Sequence, residues 1–242
     1  MGTFVIVHGA WGGGWAWRPT VGRLLRDAGH EVFTPTLTGL GERTHLASPA
    51  VDLETHIQDI LGVLEWEDLR DVVLVGHSYG GMVITGVADR APERLKHLVY
   101  VDAMVPEDGQ SLADLIGPDA AARMQAQAQA EGDGWRIPPS PLPPETPPER
   151  RTWVEPRRGA QPLKTFIQPV HLTGASRDLR RTYVYCTNPP GEAFTRIATR
   201  LRQDPQWRVV DFPTGHNVHY GMPRELADLL LELVPAGAGA AR

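Results

Sequence analysis

The sequence predicts an α/β protein: a doubly wound, mostly parallel sheet of about six strands, interrupted by a helical cap insertion. Three observations carry that expectation. Short apolar runs such as Phe4–Val7 and Val72–Val75 lack polar alternation and are too short for helices, as expected of strands buried on both faces. These runs alternate with longer stretches of helical periodicity, the pattern of successive β-α-β units. One run also leads through Gly76-His77-Ser78-Tyr79-Gly80-Gly81 straight into a helical stretch, so strand, sharp turn and helix follow in immediate succession.

Taken in order, Phe4–Val7 is the first strand, and it ends in the glycine-rich loop His8-Gly-Ala-Trp-Gly-Gly-Gly-Trp15. Trp17 to Gly29 reads as an amphipathic helix, with Val21, Leu24, Leu25 and Ala28 at helical spacing and Gly29 as its stop. His30–Thr34 is the next strand, Thr38–Thr44 a loop, and Asp52–Glu65 a second helix with Ile57, Ile60, Leu61 and Leu64 inward. The strand Val72–Val75 and the helix Met82–Arg90 flank Ser78, and the strand within Arg94–Asp102 ends in a carboxylate. Thr182–Cys186 and Trp207–Phe212 are the last strands, with a helix from about Ala193 to Leu201 between them. Pro223 opens the closing helix at its first position, where a missing N–H costs nothing. Residues 236–242 read as a frayed tail.

The pattern changes between Met104 and Arg180. A polar helix over Asp119–Glu131 leads into 137–156, where eight of twenty residues are proline. A linker or a polyproline ligand would share that composition. Because the stretch falls between two core strands, the expectation is an insertion folded over the sheet. The domain reading is therefore a core of 1–103 and 181–242 with a cap at 104–180. Trp135, Trp153 and Phe166 are candidate pocket walls, or else the cap's own core.

The 242 residues fit one large domain. A net charge of −5 gives no electrostatic footprint for nucleic acid or an anionic membrane. The lone Cys186 excludes a disulfide framework or a cysteine metal cluster and points to a reducing cytoplasm. A strand begins almost at once, so no signal peptide is expected, and no run is long enough to span a membrane. Oligomeric state stays open, a homodimer included.

The chemistry converges on Ser78. Glycines two positions to either side let a serine occupy a strained turn that lifts its Oγ above the sheet edge. A serine hydroxyl needs an adjacent base that is itself oriented by a third group. His216, in the loop after the last strand, is the candidate base, with His219 the runner-up. The loop after Cys186 reads Thr187-Asn-Pro-Pro-Gly-Glu192 and offers no aspartate. Asp102, at the end of the strand next after that of Ser78, is the candidate acid, with Glu192 and Asn188 as alternatives. The loop after the first strand could cradle phosphate or hold an oxyanion. It lacks G-x-G-x-x-G, and no Gly-Lys-Ser/Thr follows, so the amides of Ala10 and Tyr79 are the candidate oxyanion donors. Trp11 is a further candidate pocket residue, and His8, at a strand end, reads as structural.

These residues resemble the α/β-hydrolase superfamily, most of all its esterase and hydroxynitrile-lyase-like group, which includes plant methylesterases. The resemblance runs through His8-Gly-Ala-Trp11, Gly14-Trp15, Leu37-Thr-Gly-Leu-Gly41, Gly76–Gly81, Val105-Pro106 and Gly215-His216. It implies the α/β-hydrolase fold, Ser78 as nucleophile, His216 as base, the Ala10 and Tyr79 amides as oxyanion hole, and no cofactor or metal. Two departures stand out. Lyases of the group carry threonine at the place of Gly9 and lysine at that of Asn217, which favours ester hydrolysis. Plant members place their aspartate just after the cysteine-containing strand, so Asp102 is a relocation. The expected activity is serine-dependent hydrolysis of a small carboxylic ester. The alternatives are a lactonase or other secondary-metabolite hydrolase or lyase, and a ligand-binding protein that has kept the fold.

Overall fold

The computed structural model describes residues 1–143 and 146–234; the tail expected at 236–242 lies outside them. Strands β1 (Thr3–Val7), β2 (Glu31–Phe33), β3 (Val72–His77) and β4 (Leu95–Val101) alternate with helices α1 (Val21–Asp27), α2 (Leu53–Trp66) and α3 (Gly80–Arg90). Between β4 and the next long strand come α4 (Leu112–Ile116), α5 (Pro118–Glu131), β5 (Arg136–Ile137), α6 (Pro148–Val154), β6 (Gln161–Pro162) and α7 (Lys164–Ile167). The chain then closes with β7 (Arg180–Cys186), α8 (Glu192–Leu201), β8 (Trp207–Phe212), α9 (Val218–Gly221) and α10 (Pro223–Glu232).

Six strands form one sheet in the order β2-β1-β3-β4-β7-β8, and every pairing is parallel. Side chains alternate across a strand, so each apolar run feeds two cores at once. Val5, Val7, Val72 and Leu74 face one side, where Ile57 and Ile60 of α2 and Met82 and Val83 of α3 cover them. Phe4, Ile6, Val73 and Val75 face the other side, against Val21 and Leu25 of α1 and Leu226 and Leu230 of α10. Burial on both faces is why these runs carry no polar alternation.

Local chemistry sets some element ends. Asp52 caps α2, accepting from the Thr55 amide at 3.0 Å in a capping box. The first helix begins at Val21 rather than Trp17. Pro19 biases the residue before it away from helical geometry, and Trp17–Thr20 are turns. The two-residue pair β5–β6, antiparallel and joining Arg136–Ile137 to Gln161–Pro162, is too short to leave a periodic signal. Inside the proline-rich stretch, Pro148 starts α6, a position that suits its fixed φ.

The segment between β4 and β7 leaves and re-enters the sheet at neighbouring strands. Its apolar residues Leu112, Ala128, Ile137, Phe166 and Val170 join the α2–α3 core. Buried Asp89 near the end of α3 accepts the amides of Thr173, Gly174 and Ala175 at 2.6, 2.9 and 3.0 Å, fastening the end of that segment to the sheet layer.

Candidate active site

Ser78 sits at the C-terminal end of β3 with φ +55°, a left-handed backbone that a serine adopts only where its surroundings enforce it. The enforcement comes from packed backbone. A Cβ on Gly76 would lie 2.7 Å from the Gly80 carbonyl, one on Gly80 would lie 2.6 Å from that of Val7, and one on Gly81 would collide with that of Met104. The Ser78 carbonyl accepts from the amides of Gly81 and Met104 at 3.1 and 3.0 Å, and its own amide donates to Val101 at 3.3 Å. The turn is thus fixed from α3 and from the end of β4 together.

Asp102 follows β4 directly, 1 % exposed and with φ +42°. Its amide donates to the Val184 carbonyl at 2.7 Å, and its Oδ1 accepts the Cys186 amide at 3.1 Å, so strand β7 orients the carboxylate. Its Oδ2 lies 2.7 Å from Nδ1 of His216. A carboxylate fixes that nitrogen as the N–H of the neutral ring, which leaves Nε2 free to accept a proton. His216 packs flat on Phe194, with ring centroids 4.7 Å apart, and also lies 4.7 Å from the ring of His77. His77 donates Nε2–H to the His216 carbonyl at 2.9 Å. Burial, together with His216 and His219 nearby, drives the His77 pKa well below the ordinary imidazole value. His77 therefore ties down the His216 loop without setting a competing charge beside it.

The alternative acids are elsewhere. The Glu192 side chain is 91 % exposed and pairs with Arg196 at 2.7 Å, and Asn188 is also exposed. His219 is buried and stacked on Trp17 with ring centroids 4.5 Å apart; burial lowers its pKa to about 3. It has no carboxylate partner among the described residues. Burial likewise pushes the Cys186 thiol up, so it is a poor second nucleophile.

Opposite Ser78 runs the loop after β1. Gly9 is packed so closely that a Cβ would sit 2.9 Å from His77 Nδ1 and 3.0 Å from the Ser78 Cβ. The amides of Ala10 and Tyr79 donate to no group among the described residues. Tyr79 is held from below: its hydroxyl donates to His56 Nδ1 at 2.8 Å, while His56 Nε2–H donates to the Thr38 carbonyl at 2.9 Å. His8 is structural in its contacts, donating to the Gly9 carbonyl at 2.7 Å and accepting the Leu37 amide at 3.1 Å.

Ser78, His216, Ala10 and Trp11 share the wall of one cavity of about 210 Å³. Trp17, His219 and Tyr220 also line it, together with Leu142, Val154 and Arg158 of the insertion. The described residues hold no cluster of three or more metal-ligating side chains and no helix long and apolar enough to cross a membrane.

The family model for the alpha/beta hydrolase family matches residues 4–229. The chain belongs to the alpha/beta hydrolase family. It is 45% identical over 245 residues to a carbendazim hydrolyzing esterase of Nocardioides sp. (strain SG-4G), covering 96% of this chain and 100% of that protein. It is 26% identical to a pyrethroid hydrolase of Sphingobium wenxiniae, over 97% of this chain and 88% of the other. Among solved structures, an extracellular alpha/beta-hydrolase from a Paenibacillus species superposes with a TM-score of 0.85 at 26% identity, over 98% of this chain and 100% of that one.

In this alpha/beta hydrolase the cap aromatics singled out from sequence do not line the cavity, which corrects the expectation that they wall it. Phe166 is buried behind it, edge-on to Trp11 with centroids 5.9 Å apart and 5.5 Å from the Tyr79 ring. Trp153 packs edge-on against Trp15, centroids 5.2 Å apart, and Trp135 carries the Arg136 guanidinium over its ring. Phe166 and Trp153 thus support the wall from outside through Trp11 and Trp15, and Trp135 spends its ring on Arg136. The sequence reading missed residues that do line it from the insertion, among them Leu142, Val154 and Arg158, and also Tyr220. Tyr220 had a signal, since it follows His219 in the loop of the candidate base. The other three had none, because they come from a stretch without periodicity.

Proposed function

We propose that this alpha/beta hydrolase is a serine-dependent carboxylic ester hydrolase with Ser78 as nucleophile, His216 as base, Asp102 as its carboxylate partner, and the Ala10 and Tyr79 amides as oxyanion hole. The observation that carries the reading is the 2.7 Å contact of buried Asp102 with Nδ1 of His216, whose ring lines the same cavity as strained Ser78. Nε2 of His216 takes the Ser78 proton as Oγ attacks the ester carbonyl. Asp102 stabilises the imidazolium that forms. The two amides bind the negative oxygen of the tetrahedral intermediate, each worth roughly 10²–10³ in rate. His216 then protonates the leaving alcohol, and the acyl-enzyme is cleared by water that the same ring deprotonates.

The likeness to a carbendazim hydrolyzing esterase and a pyrethroid hydrolase supports ester-type bonds as the target. A cavity faced by Trp11, Trp15, Trp17 and Tyr220 supports a substrate with a flat aromatic part. Cyanohydrin cleavage fits less well: Gly9 leaves no room for a threonine, and position 217 is the uncharged Asn217. The proposed division stays a core of 1–103 and 181–242 under a cap of 104–180, supported by the cap residues on the cavity wall. The cytoplasm is the proposed compartment, on the lone buried cysteine.

The test is a fluorophosphonate probe combined with p-nitrophenyl butyrate turnover. The wild-type protein should label at Ser78, and Ser78→Ala should lose both label and turnover. Turnover unchanged in Ser78→Ala would overturn the assignment.

A further inference from the structure

Ala10 lies between two peptide groups that are pinned from opposite sides. On the sheet side, His8 Nδ1–H holds the Gly9 carbonyl at 2.7 Å. Because carbonyl and amide of one trans peptide point in opposite directions, this turns the Ala10 N–H away from His8. On the other side the anchor is the insertion. The Trp11 amide donates to Gln161 Oε1 at 3.1 Å, the Trp11 carbonyl accepts the Gly159 amide at 3.2 Å, and the Trp11 indole donates to the Ile137 carbonyl at 3.0 Å.

Trp11 needs this restraint. Its φ is +59°, a left-handed conformation that a bulky L-residue keeps only where its surroundings over-determine it. Gln161 is fully buried. Its Nε2 donates to Thr165 Oγ1 at 2.7 Å, and that hydroxyl donates to the Pro162 carbonyl at 2.7 Å. The relay fixes which end of the Gln161 amide faces Trp11. A flipped amide would set its NH₂ against the Trp11 N–H, donor to donor.

We propose that Gln161 is a positioning residue for the oxyanion hole: by accepting the Trp11 N–H it holds the loop so that the Ala10 amide points at the developing oxyanion. Without that acceptor Trp11 relaxes toward negative φ. The swing of the Ala10–Trp11 peptide is then absorbed at Ala10. The insertion thus helps build the catalytic centre as well as bounding the pocket. The proposal rests on the reading of Ala10 as an oxyanion donor. An oxyanion donor acts mainly on the transition state, so its misplacement is read in kcat before KM.

Gln161→Met keeps side-chain length and removes the acceptor; Thr165→Val leaves Gln161 in place and removes its anchor. Each is assayed for kcat and KM on p-nitrophenyl butyrate and for thermal unfolding. The Ki of an alkylthio trifluoromethyl ketone, which becomes a tetrahedral oxyanion on a serine nucleophile, completes the set. Gln161→Met should lower kcat by about tenfold to a hundredfold, less than outright deletion of a donor, with KM little changed. The ketone Ki should rise by a similar factor, and Thr165→Val should shift both the same way by less. A folded Gln161→Met with unchanged kcat and Ki overturns the proposal. If Gln161→Met does not fold, Thr165→Val with wild-type kcat and Ki overturns it. A ketone that fails to inhibit even the wild-type protein overturns the serine reading itself, and this inference with it.

Discussion

His216 and Asp102 are 114 residues apart in sequence and 2.7 Å apart in the fold. The contact joins the loop after the last strand to the end of β4, and it crosses β7, whose Cys186 amide holds the other carboxylate oxygen at 3.1 Å. Asp102, the proposed acid, therefore stands one strand nearer to Ser78 than the loop after Cys186, where plant members of the resembled group place theirs.

Asp102→Asn is expected to lower kcat by up to about 10⁴. The asparagine keeps the size of the carboxylate but loses its charge. An amide NH₂ facing Nδ1 would select the tautomer whose Nε2 carries the proton, which is useless as a base. Glu192→Gln, on an exposed helix, should leave kcat at the wild-type level. The reverse ranking in steady-state kinetics would move the acid to Glu192.

The contrast between what pattern could and could not reach follows from where each restraint originates. Ser78 was legible because its signal is local, an apolar strand, flanking glycines and a helix start within a dozen residues, although the Val7 and Met104 carbonyls that enforce its turn are distant in sequence. The parallel sheet was legible for the same reason, since burial on both faces imprints continuous apolar runs such as Val72–Val75. Asp102 and His216 could be singled out as strand-end residues, although their contact is a product of strand order. The insertion was opaque. Gln161, Arg158 and Leu142 come from segments ordered by long-range contacts rather than by their own periodicity, and aromatic content misdirected attention to Trp135 and Trp153. The late start of α1 has a similar origin, because helical spacing from Trp17 onward masks the break at Pro19.

Gly81→Ala should cost about 3 kcal/mol of stability. The new methyl would collide with the Met104 carbonyl and lie 3.0 Å from the Ala103 side chain. Met104 can yield only by breaking its amide's 3.0 Å bond to the Ser78 carbonyl. Urea unfolding should therefore show a lower midpoint, and fluorophosphonate labelling of Ser78 should slow in the fraction that remains folded. A midpoint equal to wild type would mean that the turn is not packed as described.

Asp89→Ala should destabilise by about 3 kcal/mol, because it strands three backbone donors at 173–175 that its carboxylate now satisfies. The opening should be local to the end of the insertion. Hydrogen exchange at 173–175 should accelerate in the variant, while amides of the central strand β3 keep their protection relative to the global unfolding limit. Uniform acceleration across the chain would instead make Asp89 part of the global core.

Stability should fall steeply in mild acid. Burial lowers the pKa of His8 and His56 to about 4 and that of His219 to about 3, from 6.5 in a free imidazole. Between those values the unfolded chain binds protons that the folded chain refuses, so unfolding free energy rises with pH across the window. The full stability is present above 6.5 and drains away as the pH falls toward 4. At pH 5.5 each of the three costs somewhat more than 1 kcal/mol relative to pH 7.5, which comes to roughly 4 kcal/mol together. Urea unfolding at the two pH values measures the difference directly. His219→Phe should shrink that difference by about 1 kcal/mol, since phenylalanine has no proton to refuse. An unfolding free energy that is flat between pH 7.5 and 5.5 would mean that these imidazoles accept protons inside the fold, in conflict with the acceptor roles of His8 toward the Leu37 amide and of His56 toward the Tyr79 hydroxyl.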